Sequence, residues 1–177
     1  LMQRAFLAKV VDGKTAEALD LAEKLVKLQD SNAFGRLALA LTALKQNDYD
    51  AARAHLDALA ESRLTQILRP LLLAWVEAGT GNWAASEAHL DGIRKQGGFG
   101  LLAELHAGYI AALKGDFTAL DTAFKAALKG MDRPPARLRI GAALHYAKLG
   151  HGDRAREILA DGDLSDQNTE ALTAALA

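Results

Sequence analysis

The chain has 177 residues, of which 50% are hydrophobic and 24% are charged, and its formal net charge is -1. This near balance of 21 basic and 22 acidic side chains gives no long-range field for DNA, RNA or an anionic membrane, and 6% aromatic residues give few groups for base stacking. The absence of cysteine excludes disulfides and thiolate metal sites, and no apolar run approaches the roughly 20 residues that span a bilayer. We therefore expect a soluble protein, cytoplasmic or periplasmic, that binds no nucleic acid and does not insert directly into a membrane.

The sequence favours helices throughout. Helix-forming residues dominate, only three prolines occur, and no strand-like alternation of any length is present. In chain order the predicted helices are 1–11, 14–29, 33–46, 49–62, 66–79, 82–95, 100–114, 117–129, 135–149, 152–161 and 166–176.

A recurring residue type marks the breaks between these helices. Glycine accepts the left-handed conformation of a helix C-terminal turn without steric cost, and asparagine is the next best residue. Such residues occur 34, 34, 34 and 35 residues apart, at Gly13, Asn47, Gly81, Gly115 and Gly150. The side chains predicted to cap the following helices are Asp12, Asp48, Asn82 and Asp116. A fixed period of this length predicts a stacked solenoid of repeated units.

The repeats resemble the 34-residue helix–turn–helix unit of the tetratricopeptide repeat family. The stretch 45–52 is very similar to the family's central turn, and 81–85 and 115–119 match it as well. The small residues expected where two helices cross are Ala40, Ala74, Gly108 and Ala143, and the large packing residues are Leu56, Leu90, Phe124 and Leu159. The resemblance covers about 160 residues.

This resemblance implies an all-α, right-handed α-solenoid that forms one domain over 1–177. It has five helix–turn–helix units and a C-terminal helix, with approximate bounds 1–32, 33–66, 67–100, 101–135, 136–164 and 165–177. The sequence is also similar to long bacterial multi-repeat proteins. Because its first residue is Leu1, we expect a fragment of such a protein, with any targeting segment outside it.

The resemblance implies that the first helix of each unit lines a concave face, and these helices carry a second apolar stripe at i, i+3 and i+7. With its polar rim, the predicted binding surface comprises Phe34, Leu37, Leu41, Leu68, Leu71, Leu72, Trp75, Leu102, Leu105, His106, Tyr109, Arg137, Ile140 and Leu144, and Lys45 lies at the same rim. Three interpretations stay open. The stripe is buried packing between stacked helices, or it is a groove for a partner, or the segment 165–177 folds back into it.

The function predicted from this surface is a non-enzymatic protein–protein interaction module or assembly scaffold. It would bind a peptide or an amphipathic helix, with Trp75 and Tyr109 as anchors. The alternative is a carrier of a hydrophobic small molecule or lipid in the same groove. The carboxylate-binding clamp of Lys, Asn and Arg known in the family is absent from this face. Self-association through the apolar end faces is compatible with either function.

No constellation of residues indicates catalysis, so we predict no enzyme, no cofactor and no metal site. His55 and His89 occupy equivalent places in successive units, but neighbouring helix axes are roughly 8–10 Å apart, which favours two separate helix-face histidines over a shared ion. Arg133, Arg137 and Arg139 form a small basic cluster that is either solvated or meets an acidic partner.

Overall fold

The computed structural model describes residues 1–129, 131 and 134–160. Within these residues the fold is all-α, with ten helices and no strand. The helices are α1 Met2–Val11, α2 Thr15–Leu28, α3 Ala33–Lys45, α4 Tyr49–Asp57, α5 Thr65–Gly79, α6 Trp83–Arg94, α7 Gly100–Lys114, α8 Phe117–Leu128, α9 Ala136–Lys148 and α10 Gly152–Ala160. The predicted helix 166–176 lies outside the described residues.

The predicted helices agree with these bounds except at the end of α4. That helix stops at Asp57, although the pattern predicted it to continue to 62. Ser62 and Thr65 instead form a reciprocal cap, in which the Ser62 amide donates to Thr65 Oγ1 at 2.8 Å and the Thr65 amide donates to Ser62 Oγ at 3.1 Å. This arrangement starts α5 and leaves 58–64 outside both helices.

The chain divides into two compact units, Leu1–Ile93 and Arg94–Ala177. In the first unit, α1 packs on α2, α2 on α3, α3 on α4 and α4 on α5. In the second unit, α7 packs on α8 and α9, and α9 packs on α8 and α10. Consecutive helices therefore pack on each other from α1 to α5 and from α7 to α10.

Five helix ends share one backbone geometry. Gly13, Asn47, Gly81, Gly115 and Gly150 all have positive φ, between 60° and 81°, and Asn47 is the one non-glycine residue among the described positions that does. Each donates its amide to the carbonyl three residues earlier, at 2.9–3.1 Å, and the next residue donates to the carbonyl five earlier, at 2.8–2.9 Å. These two bonds define the Schellman motif. The predicted left-handed turns are confirmed at all five positions.

Of the four predicted caps, two are confirmed with short hydrogen bonds, Asn82 makes a longer one, and the prediction for Asp12 is wrong. Asp48 and Asp116 each accept an amide three residues on, at 3.0 Å, whereas Asn82 lies 3.5 Å from the Ala85 amide. Asp12 ends α1 and cannot cap α2, because the capping position follows the left-handed residue and belongs to Lys14. The Lys14 side chain makes no capping bond.

The core follows the same period as the turns. The residues five positions after each left-handed turn are all buried, namely Ala18, Ala52, Ser86, Leu120 and Ala155. The predicted small residues at the helix crossings and the large residues that pack on them are buried too. Ser86 is accommodated at this buried position because its hydroxyl donates to the Ala74 carbonyl at 2.8 Å.

Candidate interaction surfaces

The structure gives the residues of the predicted stripe different environments. In the first unit Phe34 and Leu41 are exposed by 38% and 52%, Leu71 is buried, and the half-buried members are Leu37, Leu68, Leu72 and Trp75. In the second unit Leu144 and Arg137 are exposed, and the half-buried members are Leu102, Leu105, His106, Tyr109 and Ile140. Leu71 is therefore a core residue, whereas the α3 part of the stripe reaches the surface.

An apolar groove lies in the first unit between α1, α2 and α3, and we name it the α1–α3 groove. Its volume is about 370 Å³, and it is lined by Phe6, Leu7, Val10, Thr15, Ala18, Leu19, Phe34, Leu37, Ala38, Leu41 and Thr42. The two threonines are its only polar lining residues, and the Thr42 hydroxyl donates to the Ala38 carbonyl at 2.9 Å. Nearly all the contacts that the groove offers to an occupant are therefore apolar.

Three residues of the predicted binding surface line this groove, whereas its α1 residues were not among those predicted. Phe34, Leu37 and Leu41 were predicted, and they meet in the groove. Leu7 and Val10, exposed by 39% and 51%, form its opposite wall. The signal was available, because Leu7 lies one 34-residue period before Leu41.

An ion pair holds α1 against α2 near this groove. Lys9 Nζ lies 2.6 Å from Glu17 Oε2, and both side chains remain open to solvent. The hydrogen bond from Lys9 lowers the pKa of Glu17, and the same bond raises the pKa of Lys9. The pair is exposed, so it fixes geometry more than it adds stability.

Tyr109, a predicted anchor, is surrounded by side chains of its own unit. Its ring centroid lies 5.9 Å from that of His106, 5.4 Å from Phe124 and 4.8 Å from His145. A Cβ at Gly141 would come within 2.9 Å of the Tyr109 hydroxyl oxygen, so glycine makes room for this ring. Burial lowers the pKa of His106, which favours the neutral imidazole in this cluster.

The histidines at equivalent positions in successive repeats have separate surroundings. His55 Nδ1 lies 3.0 Å from Arg36 Nη1, and both burial and the arginine charge lower the pKa of His55. His89 is half-buried on α6. No group of three or more His, Asp or Glu side chains suited to a metal ion occurs in the part of the chain that the structure describes.

The structure describes two of the three arginines in the predicted cluster, and these two differ in exposure. Arg133 lies outside the described residues, Arg137 is exposed on α9, and Arg139 is only 6% exposed. Arg139 lines a second cavity of about 750 Å³ between α8, α9 and α10, which we name the α8–α10 cavity. Its other described lining residues are Phe124, Lys125, Leu128, Lys129, Met131, Pro134, Tyr146, Arg154, Glu157, Ile158 and Ala160.

Asp121 contacts three residues that line this cavity, namely Lys125, Tyr146 and Arg154. The buried Tyr146 hydroxyl donates to its carboxylate at 2.9 Å, Lys125 Nζ lies at 2.6 Å and Arg154 Nε at 3.5 Å. Burial raises the pKa of Asp121, but the hydrogen bonds from Lys125 and Tyr146 outweigh it, so the pKa is lowered overall. Burial and the carboxylate together raise the pKa of Tyr146. A charged Asp121 therefore holds two cationic side chains at this wall.

Comparison with known proteins gave no match for this chain among protein-family models, curated proteins or solved structures. In the described part of the chain, no helix combines the length and the apolar character required to cross a membrane.

Proposed function

We propose that the chain is a tetratricopeptide-like array of five helix–turn–helix units stacked as a right-handed solenoid, and that it serves as a non-enzymatic protein-interaction module. Five Schellman turns at intervals of 34 or 35 residues support the repeated unit. The small and large residues of each helix crossing are buried in register with those turns, which supports stacking of neighbouring helices.

The α1–α3 groove is the observation that carries the binding function. Its walls expose Leu7, Val10, Phe34 and Leu41 by 38–52% each, around a concave space of about 370 Å³. Each square ångström of apolar surface that a partner covers there contributes about 25 cal/mol. Clustered exposed apolar side chains of this kind mark interaction sites.

An amphipathic helix is the occupant that suits this groove best. Leu37 and Leu41 are one turn apart on α3, and Leu7 and Val10 face the same space from α1. A helix that presents apolar side chains at i, i+3 or i+4 and i+7 matches such spacing. With only two threonines in the lining, contact with the apolar face leaves few polar groups to satisfy.

A hydrophobic small molecule is the second candidate occupant. The volume of about 370 Å³ falls in the range of roughly 300–1,000 Å³ typical of ligand pockets. Native mass spectrometry of the purified protein distinguishes the two candidates, because a carried lipid and a bound polypeptide give added masses of different size and chemical identity.

The test compares Leu41→Glu with Leu28→Glu. Leu41 lines the groove and is 52% exposed, whereas Leu28, at the end of α2, is 73% exposed and does not line it. Both variants place the same charge on an exposed residue of one unit, so both should keep the helical circular dichroism of the wild type. Proteins captured by the wild type from cell lysate are identified and then purified for direct binding measurements.

We expect a purified partner to bind the wild type and Leu28→Glu with equal affinity. Its affinity for Leu41→Glu should be lower by at least about tenfold, because binding must remove the introduced carboxylate from water. The helical segment of that partner, made as a peptide, should reproduce the difference. Equal affinity for all three proteins would refute the groove as the binding site.

A further inference from the structure

Helix α1 exposes apolar side chains on the side that faces away from its core contact. Seven of its ten residues are apolar, yet Phe6 is the one residue of this helix that is buried. Leu7 and Val10 line the α1–α3 groove, whereas Val11 is 86% exposed and does not line it. A helix that is apolar around most of its circumference is normally covered on all sides. The outer face of α1 is therefore a second candidate contact surface.

Charge and size follow a symmetrical order along this outer face. Arg4 and Ala8 lie two residues before and after Phe6, which places them about 200° around the helix from it. Asp12 follows Ala8 by four residues, and its backbone still lies in the right-handed helical region. We name Arg4, Ala8 and Asp12 the α1 stripe, and all three are exposed. A cation, a small residue and an anion therefore lie in line on one face.

Comparison with α3 indicates what an occupant of this face must supply. Ala38 lies one period of 34 residues after Arg4, and it packs against the buried cluster that α1 and α2 form. A helix packed on α1 in the same way would meet a guanidinium in place of this alanine. Removing a charge from water is costly unless the charge is paired. The occupant must therefore present a carboxylate at this point.

We propose that the occupant is a second copy of this chain, whose α1 packs antiparallel on the first about a two-fold axis at Ala8. Each residue is displaced by 1.5 Å along the helix, so Arg4 and Asp12 lie about 6 Å to either side of Ala8. Arg4 of each copy then lies opposite Asp12 of the other, and the contact contains this ion pair twice. Lys9 does not compete for this role, because it pairs with Glu17 of α2.

The side chains around the axis suit the same arrangement. A small residue such as Ala8 allows two helix axes to approach to about 8 Å. A two-fold axis brings equal flanks together, so Leu7 and Val11, which border the stripe on one side, meet Leu7 and Val11 of the second copy. The formal net charge of -1 produces little repulsion between two copies. The proposal does not rest on the function assigned to the α1–α3 groove.

Sedimentation equilibrium of the full chain at low salt tests the proposal. We expect a dissociation constant on the order of 10–100 µM, because a contact between two short helices covers less than the roughly 800 Å² per partner of a stable interface. The test variants are Arg4→Asp, Asp12→Arg and the double variant that exchanges the two charges. Arg137→Asp is the control, since it changes the net charge equally at an exposed residue of α9.

Each single variant places like charges opposite each other at both ends of the contact. We expect each to weaken dimerisation by at least about tenfold, because the symmetry applies the change twice. The double variant restores both pairs and should dimerise within about threefold of the wild type, as should Arg137→Asp. An aspartate in the first turn of α1 and an arginine at its end both complement the helix dipole, so the variants should retain the wild-type helical circular dichroism.

The absence of cysteine from the chain allows a second measurement. Ala8→Cys places one thiol of each copy at the axis, where two Cα atoms can approach the 4.4–6.8 Å that a disulfide needs. Ala126→Cys is the control, since Ala126 is an exposed alanine of α8. Under mild oxidation we expect Ala8→Cys to form a covalent dimer at least about tenfold faster than Ala126→Cys, because dimerisation raises the effective concentration of its thiols.

Three results would overturn the proposal. A monomeric mass at every concentration would show that no second copy binds, and would leave the outer face of α1 to a helix of a different protein. A double variant as weak as the single variants would refute the antiparallel pairing of Arg4 with Asp12. Equal rates of cross-linking for Ala8→Cys and Ala126→Cys would place the contact between copies elsewhere on the chain.

Discussion

Gly108 and Phe124 illustrate how single residues compensate for each other across a helix crossing. The equivalent pairs in the other repeats are alanine with leucine, at Ala40 and Leu56, for example. Here the small residue has lost its methyl group and the large one has become aromatic. A Cβ at position 108 would lie 2.7–2.8 Å from two carbon atoms of the Phe124 ring, which no relaxed contact allows. The glycine is therefore a packing requirement of the larger partner.

This compensation predicts strong coupling between two substitutions. Gly108→Ala gains about 1 kcal/mol of helix propensity but overpacks the site by about 1–3 kcal/mol, and Phe124→Leu leaves a cavity. The double variant restores the alanine–leucine pair. We therefore expect its free energy of unfolding to be about 1–2 kcal/mol higher than the sum of the two single changes would give. Urea unfolding of all four proteins measures this difference.

Gly92→Ala serves as the control for helix propensity. Gly92 lies within α6, and nothing comes within 4 Å of a Cβ at that position. Alanine there should stabilise the chain by about 1 kcal/mol and show no coupling to Phe124→Leu. Additive effects of the 108 and 124 substitutions would mean that the two side chains do not pack as the structure has them.

At the scale of elements, α4 shows where a local pattern gives way to a contact from another helix. Arg69, in the second turn of α5, donates from Nε to the Leu56 carbonyl at 3.1 Å, and its Nη2 donates to the Leu59 carbonyl. The same guanidinium pairs with Glu61. It satisfies one carbonyl in the last turn of α4 and one just beyond its end, which allows that helix to stop at Asp57. The helical spacing of apolar residues along the sequence does not predict such a contact from another helix.

Replacing Arg69 should therefore weaken the end of α4 in particular. We expect Arg69→Met to lower the free energy of unfolding by about 1–3 kcal/mol, because the two carbonyls lose a charged donor while the aliphatic contact is kept. Amide hydrogen exchange over 54–60 should accelerate in the same variant. Arg63→Met is the control, since Arg63 is exposed and lies in the segment between the two helices. If both variants lowered the free energy of unfolding equally, a specific role for Arg69 would be ruled out.

The two candidate sites differ in how far the sequence predicts them. The Phe34, Leu37 and Leu41 wall of the α1–α3 groove follows from helical spacing on α3 alone. The α8–α10 cavity does not, because its cations come from three helices and Lys125, Lys129 and Arg154 share no sequence pattern. In the sequence, Arg139 belongs only to a local cluster with Arg133 and Arg137. Periodicity predicts which residues share a helix face, whereas charges brought together from distant segments need tertiary structure.

For the whole molecule, the turns and helix crossings were predictable because they repeat, whereas the division into units Leu1–Ile93 and Arg94–Ala177 was not. The repeat predicted one continuous domain, because the left-handed turns recur at intervals of 34 or 35 residues on both sides of Ile93. The stretch 95–99, with Gly97 and Gly98 exposed, differs from the other breaks by lacking the Schellman pattern. How widely a local perturbation spreads is therefore a direct test of the proposed array.

In a stacked array, each repeat contacts only its neighbours, so a lesion should act locally. Phe124→Ala and Leu56→Ala each remove a fully buried side chain, one from each unit, at a cost of about 2–5 kcal/mol. We expect Phe124→Ala to accelerate amide hydrogen exchange in α7–α10 and to leave α1–α3 close to the wild-type rates. Leu56→Ala should do the reverse, with faster exchange in α3–α5 and unchanged rates in α9 and α10. A single cooperative domain would instead lower protection in all helices equally for both variants, and that outcome would refute the array.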